Sequence, residues 1–308
     1  MKVLCFGSLN IDYTYKVDHF VKKGETLSSE SLKVFSGGKG LNQSIALAKA
    51  GVETFHAGAV GEDGGFLLEE LQKAGVNTDC VTVREDVRTG NAIIQNDREG
   101  DNCILLYGGA NQAITKEQVD TVLARFEHGD FLVLQNEINL LPYVMETAHR
   151  RGLPIFFNAA PMDEQVHQCD LSLVDWLIVN EVEGQQLAGD CPEEDILPVL
   201  SQKYPGMSIL LTLGSRGAAC LHRGEKHTIG VCSVKPVDTT AAGDTFSGYF
   251  MYGVLKGLAI PDCLRLATAA SALCVGRAGA ADSVPLKAEV DQVLAQGTLE
   301  VPQAREEG

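Results

Sequence analysis

At 308 residues, with 45% hydrophobic and 21% charged side chains, the chain has the balance of a globular protein with enough apolar residues for a sizeable core. That composition excludes a disordered chain and fits one main α/β domain with a minor appendage. A net charge of −16 sets a repulsive field against nucleic acid and anionic bilayers, so any triphosphate must be neutralised locally by backbone amides, Mg2+ and a few placed cations.

In chain order, Val3 to Phe6 reads as a buried strand ending at Gly7-Ser8, an apolar run too short for a signal peptide. Asp12 to Phe35 changes to short alternating stretches around Lys22-Lys23-Gly24, the pattern of exposed antiparallel strands. Gly40 to Ala50 carries Leu41, Ile45 and Leu47 at helical spacing and stops at Gly51; Val52 to Val60 is a strand. Next come Phe66 to Ala74 (helix), Asn91 to Gln95 and Cys103 to Tyr107 (strands), Lys116 to Arg125 (helix) and Phe131 to Leu134 (strand). Pro142 to Arg151 (helix), then Ile155 to Asn158, Trp176 to Val179 and Ile209 to Leu213 (strands) continue the rhythm.

This alternation predicts an α/β fold, a doubly wound and mostly parallel sheet flanked by helices, with ligands at the carboxyl ends of the strands. Two stretches break it, 12–35 and 87–108, and together they suit a small β-sheet lid. The expected main domain is therefore 1–11, 36–86 and 109–302, with 303–308 a frayed tail. Nine cysteines, odd in number and without a C-x-x-C pair, fit free thiols in a reducing compartment. No stretch reaches the roughly 20 apolar residues of a membrane span, so the expected setting is the cytoplasm.

Asp238-Thr239-Thr240-Ala241-Ala242-Gly243-Asp244-Thr245-Phe246 leads into Ser247 to Leu255, which has helical character. Small residues ahead of a helix leave amides pointing outward, and the helix dipole reinforces them, so this is a natural anion site. Asp244 beside it is placed to take a proton from an alcohol attacking phosphorus. The plain alternative is a helix cap, which does not call for the Ala-Ala-Gly run.

Gly37-Gly38-Lys39-Gly40-Leu41-Asn42-Gln43 is a second glycine-rich turn, but Leu41 breaks the spacing of the phosphate loop. It offers close backbone approach, with Lys39 and Asn42 suited to sugar hydroxyls, or else a helix cap with a surface lysine. Asn10 and Asp12 share a face after the first strand, an amide and a carboxylate for vicinal hydroxyls. Glu137 follows the strand at Phe131 to Leu134, where a carboxylate is either a ligand group or a solvated loop residue. Asn180 and Glu183 stand one helical turn apart, either to hold the hydration shell of Mg2+ or to form a capping box. Thr212 to Gly217 is a turn whose glycines and hydroxyls suit a nucleotide, though alone it is only a turn.

On Gly37-Gly38-Lys39-Gly40, Asn42-Gln43, Val60-Gly61-Glu62-Asp63 and Asp238 to Phe246, with Asn180-x-x-Glu183 between, the chain resembles the ribokinase-like (PfkB) carbohydrate kinases from Val3 to about Pro285. The resemblance implies a large α/β domain with a β-sheet lid, often joined to a second subunit's lid as a homodimer. It assigns the catalytic base to Asp244 and the anion hole to Ala241, Ala242 and Gly243. It places Asn10, Asp12, Gly38, Lys39, Asn42, Glu137 and Asp244 on the sugar, with Ala92 and Ile104 from the lid. Asn180, Thr212, Gly214, Ser215, Gly217, Gly243 and Thr268 would contact ATP, and Glu183 would organise Mg2+ through water. An activating K+ would sit among Asp238, Thr240, Cys274, Arg277, Gly279 and Ser283, mostly on backbone carbonyls.

The family's sugar-gripping set is intact, which points to D-ribose and its 5-hydroxyl as acceptor. Another pentose, a ketohexose or a nucleoside are alternative acceptors on the same fold, although 6% aromatics and a single Trp176 offer little to stack a purine. A non-catalytic sugar-binding regulator is a reading of another class, and the presence of Asp244, Lys39 and the small-residue run weighs against it.

Overall fold

The computed structural model describes residues 1–189 and 191–307. The chain begins with β1 (Val3–Phe6), β2 (Asn10–Lys16), β3 (Ser31–Gly37), α1 (Lys39–Lys49), β4 (Thr54–Gly61), α2 (Gly65–Lys73) and β5 (Asn77–Arg84). It continues through β6 (Gly90–Asn96), β7 (Asn102–Tyr107), α3 (Lys116–Leu123), β8 (Phe131–Gln135), α4 (Leu141–Arg150), β9 (Ile155–Asn158), α5 (Glu164–Gln168) and β10 (Trp176–Asn180). The last part holds α6 (Glu181–Ala188), α7 (Ile196–Lys203), β11 (Ser208–Thr212), β12 (Ala218–His222), β13 (Glu225–Ile229), α8 (Ala242–Leu255), α9 (Ile260–Val275), α10 (Lys287–Gln296) and β14 (Arg305–Glu307).

Ten strands form one sheet in the order β14-β13-β12-β11-β10-β9-β8-β1-β4-β5. From β11 to β5 all neighbours are parallel, and β12, β13 and β14 add an antiparallel edge. Helices cover both faces, and β1 shows why. Leu4 and Phe6 point into a core shared with α3 to α7, whereas Val3 and Cys5 point into a second core shared with α1, α2 and α8 to α10. A strand buried on both sides has no polar face, so it reads as an unbroken apolar run.

The strand order reverses at β1, between β8 and β4, and such a switch point opens a crevice at the carboxyl ends of the strands. Two close approaches shape that crevice. Gly40 starts α1 against the turn after β1, where an added Cβ would lie 2.7 Å from the Cα of Gly7. Gly248 lets α8 lie against Ala46 of α1, with no room for a side chain.

The second sheet has the order β3-β2-β6-β7, with β2 antiparallel to β3 but parallel to β6. Its strand β2 starts at Asn10, two residues before the expected break at Asp12. Two expectations need correction. The helix anticipated from Ser247 begins at Ala242, so Ala242, Gly243 and Asp244 form its first turn rather than precede it. Arg305–Glu307, expected within a frayed tail, pairs as β14 with β13, where Lys226 meets Glu307 at 2.7 Å; Gly308 lies outside the described residues. Among the described residues no helix is long and apolar enough to cross a membrane.

Candidate functional site

The turn after β1 anchors one half of the site. Ser8 Oγ donates to Glu137 in a very short hydrogen bond and accepts from the Gly40 amide at 3.2 Å. Glu137 Oε2 also accepts from the Lys39 amide at 2.9 Å, so this carboxylate joins the loop after β8 to the start of α1. Asn10 is buried, and its Oδ1 accepts from Asn111 at 2.8 Å. Asp12, two residues on, lies beside the backbone of Gly37. Burial, and then the neighbouring Glu137 charge, push its carboxyl up to about 7.

Asp244 faces α1 from the first turn of α8. Asn42 Nδ2 donates to its Oδ2 at 3.0 Å and Gln43 Nε2 to its Oδ1 at 2.9 Å. Asn42 Oδ1, by contrast, is buried with no partner among the described residues, an acceptor left for a donor from outside. Lys39 stands among the carboxylates. Burial works to lower its ammonium, but Asp244, Glu137 and Glu183 outweigh it and leave the group above its ordinary value, hence charged. Gly38, with φ 97, makes the turn into α1.

Ala241 caps α8 with φ 59, a left-handed conformation that costs a non-glycine residue of order 1 kcal/mol or more. The Ala242 amide turns back to Thr239 O at 3.2 Å, whereas among the described residues no hydrogen bond takes the amide of Ala241 or Gly243. Of the three residues assigned to an anion hole, Ala241 and Gly243 therefore present open amides, at the positive end of a helix of 14 residues.

On the other side of that turn lies a cavity of about 620 Å3. Asn180, Thr212, Gly214, Ser215, Gly217, Gly243 and Thr268, all expected at the nucleotide, line it. Sequence reasoning missed its apolar wall, made by Val231, Val234, Pro236, Phe246, Ala272 and Val275. Glu183 is not on the wall. It forms a capping box with Asn180, each backbone amide donating to the other's side chain at 2.9 Å. Among the described residues no hydrogen bond takes Glu183 Oε1, which leaves one carboxylate oxygen for a hydrated cation.

The six positions expected around a monovalent cation converge behind the anion site. Asp238 accepts from the amides of Thr240 (2.9 Å) and Gly279 (3.0 Å), tying two loops together. Cys274 Sγ lies 3.8 Å from Thr240 O and 3.0 Å from Ser283 Oγ, which donates to Ala280 O at 2.7 Å. This is an oxygen-rich, largely carbonyl and hydroxyl donor set, which suits a hard, weakly charged ion. The Arg277 guanidinium is taken by Glu289 at 2.6 Å, so only its backbone faces the loops. Among the described residues no three His, Cys, Asp or Glu side chains cluster as a metal site.

The small sheet contributes unevenly. Ala92 is buried and pairs with Asp12 across β2 and β6. Ile104, on β7, is 51% exposed and stands outside the buried cluster. Asn111, Gln43, Gln135 and Ser8 belong to the site although sequence reasoning assigned them no part; Gln43 had a signal as the last residue of the Gly37 to Gln43 turn, and Ser8 as the end of the first strand.

A family model described as pfkB family carbohydrate kinase matches residues 1–287. The ribokinase of Staphylococcus aureus (strain COL) is 34% identical over 302 residues, 95% of this chain and 99% of that protein. Among solved structures, ribokinase from Cryptococcus neoformans var. grubii serotype A in complex with ADP superposes with a TM-score of 0.81 at 34% identity, covering 94% of this chain and 99% of that one. Arabidopsis thaliana ribokinase complexed with ribose and ATP gives 0.83 at 30% identity, covering 95% and 98%. Since the family match takes in both glycine-rich turns and Asp244, the chain belongs to the pfkB family of carbohydrate kinases.

Proposed function

We propose that this protein is an ATP-dependent sugar kinase that transfers the γ-phosphoryl group to the 5-hydroxyl of D-ribose. One observation carries the reading: in the first turn of α8, Gly243 faces the cavity while the next residue, Asp244, faces the polar cluster on α1. A donor nucleotide and an acceptor alcohol would then meet at a single helix start. The relatives named ribokinase, one of them solved with ribose and ATP, support the choice of substrates.

In this reading Asn10, Asp12, Lys39, Asn42 and Glu137 hold the sugar, with Gly38 giving close backbone approach. Asp244 accepts the proton of the attacking hydroxyl, and the Gly243 amide with the α8 dipole faces the charge that develops on phosphorus. Lys39 adds a fixed positive charge beside the base. Closure of the small sheet, with Ala92 and Ile104, excludes water that would otherwise be phosphorylated. Glu183 Oε1 would hold the water shell of a Mg2+ ion carried by ATP, which would supply charge neutralisation of the phosphates. The Asp238 to Ser283 loops would seat K+, with the Thr240 carbonyl and Ser283 hydroxyl as donors.

Apolar residues on the small sheet remain open to solvent, Leu105 at 67% and Leu106 at 55%. Such a surface supports a homodimer through the lid. The nine cysteines are all free, seven of them buried, which supports a reducing cytoplasmic setting.

The test is a substrate panel with Mg·ATP, scored by ADP formed. Fastest turnover with ribose supports the reading, whereas adenosine ahead of ribose would make this a nucleoside kinase. ADP from no acceptor would leave a sugar-binding regulator. Repeating the ribose assay with K+ replaced by tetramethylammonium tests the cation, and sedimentation tests the dimer.

A further inference from the structure

Behind Asp244 lies a row of buried amides that no step above uses. Gln43 Nε2 donates to Asp244 Oδ1 at 2.9 Å, and Gln135 Nε2 donates to Gln43 Oε1 at 2.7 Å. Beyond Gln135 stands Cys5, whose Sγ lies 3.5 Å from Gln135 Nε2, 3.9 Å from its Oε1 and 3.4 Å from the carbonyl of Gly40. Gln43, Gln135 and Cys5 are each 0% exposed. The row crosses β1, β8, α1 and α8, so four elements converge on one carboxylate oxygen.

The polarity of the row follows from its end. An ionised carboxylate only accepts, so Gln43 must turn its NH2 to Asp244 and its oxygen to Gln135. Gln135 must then turn its own NH2 to Gln43. Each amide is locked by the next, and a slip at any point would leave a buried polar atom without a partner, at a cost of about 1–3 kcal/mol.

The two oxygens of Asp244 therefore face different surroundings. Oδ1 is held from the protein interior by this row, and Oδ2 is shared with Asn42, whose own Oδ1 awaits a donor. We infer that Gln43 and Gln135 are positioning residues that stop the Asp244 carboxylate from rotating, so that Oδ2 alone meets the acceptor hydroxyl. The inference rests on the reading of Asp244 as the base. A terminal carboxylate torsion is broad when unrestrained, and a displacement of about 1 Å at the reacting atom costs on the order of hundredfold in rate.

The test uses the full-length protein, the acceptor found in the panel and Mg·ATP. Gln43→Met keeps the side chain's length and removes both hydrogen bonds. It should lower kcat by about tenfold to hundredfold while both KM values stay within roughly threefold, the split expected for an interaction that matters in the transition state. Gln135→Met should give a smaller loss in the same direction. The double variant should lose no more than Gln43→Met alone, because the two residues act in series.

Gln43→Glu supplies a readout that a merely structural role would not move. Two carboxylates in contact cannot both ionise freely, so the acid limb of the kcat profile should rise by about one pH unit or more relative to wild type. Titratable groups that feel the charge of Asp244 are Lys39 from α1 and Cys5 from β1. Lys39 is held above its ordinary value and Cys5 is pushed up to about 11, so neither titrates on the acid limb. Asp12 does titrate near neutrality, but equally in both proteins, and the comparison removes it.

Wild-type kcat and pH profile in Gln43→Met and Gln43→Glu, a loss confined to KM, or additive losses in the double variant would overturn the inference. Should Gln43→Met fail to fold by thermal melting, Gln43→Glu retains size and an acceptor for Gln135 and carries the test through its pH profile. If Asp244→Asn is inactive while Gln43→Met is normal, only the positioning role falls. If the wild type phosphorylates nothing, the kinase reading falls instead.

Discussion

The two halves of the site are built from opposite materials. On the acceptor side, Ser8, Asn10, Asn42, Gln43, Gln135 and Asn111 are all buried and all polar, and nearly every donor and acceptor is matched within the protein. On the nucleotide side, the cavity wall is mainly apolar, with a few hydroxyls and glycines on loops. Buried polar networks fix geometry because each member is costly to leave unsatisfied, whereas an apolar slot tolerates small displacements. The comparison teaches where precision resides: in the half that must align a hydroxyl and a base, not in the half that holds a large ligand by area.

The strongest way to break this comparison is Asp244→Asn. The amide keeps the shape but cannot take the proton, so kcat should fall by about 10²–10⁴ while the dissociation constant of the sugar, measured by calorimetry, changes little. A variant with near-normal kcat would show that the polar half does not supply the base.

Glu137→Gln comes next. Glu137 accepts from both Ser8 Oγ and the Lys39 amide, so neutralising it loosens the turn that carries Lys39 and Asn42. Hydrogen bonds to a charged group contribute about 1.5–3 kcal/mol, so sugar affinity should weaken on the order of tenfold to hundredfold, with KM for ATP nearly unchanged. An equal loss for both substrates would mean that the halves are not separable.

A smaller effect is read from pH. Burial and Glu137 raise Asp12 from 3.8 to about 7, so around neutrality the free protein carries it partly protonated. Sugar hydroxyls donate best to the ionised form. Affinity should therefore rise with pH through about 7, by up to about tenfold per unit on the acid side, and Asp12→Asn should flatten that dependence. The sign for folding is opposite. The native state holds the proton more tightly than the unfolded chain, so this group's contribution to stability is fully present below 3.8 and is lost as pH rises through about 7.

Much of the architecture was legible because buried parallel strands and amphipathic helices carry their periodicity in local sequence. Val3 to Phe6 and Ile155 to Asn158 appear with the expected bounds. The start of α8 was displaced because Ala241 adopts a left-handed cap that no glycine or asparagine announces. The β12–β13 hairpin was missed for a similar reason, since Arg223 takes φ 53 where Asn or Asp would signal the turn. In the site, both glycine-rich turns and Asp244 stood out, because close backbone approach needs small residues. Gln135 could not, because a glutamine at the end of an apolar strand gains its meaning only from Gln43, 92 residues away in sequence. The apolar nucleotide wall from Val231 to Pro236 lies outside regular structure and has no period to read.

The smallest effect sharpens the comparison from the nucleotide side. Thr268 lines the cavity, and its Oγ1, like Asn42 Oδ1 in the other half, is buried without a partner among the described residues. Thr268→Val removes that hydroxyl and keeps the shape. Without nucleotide, the variant should melt at the same or a slightly higher temperature, because an unsatisfied buried oxygen is gone. With nucleotide, it should bind ATP about fivefold more weakly, the equivalent of one ordinary hydrogen bond of about 1 kcal/mol, with kcat and sugar KM unchanged. Opposite signs in the two measurements mark a hydroxyl reserved for the ligand, whereas a drop in both would mean that Thr268 serves the packing of α9 and that the apolar half holds its ligand without it.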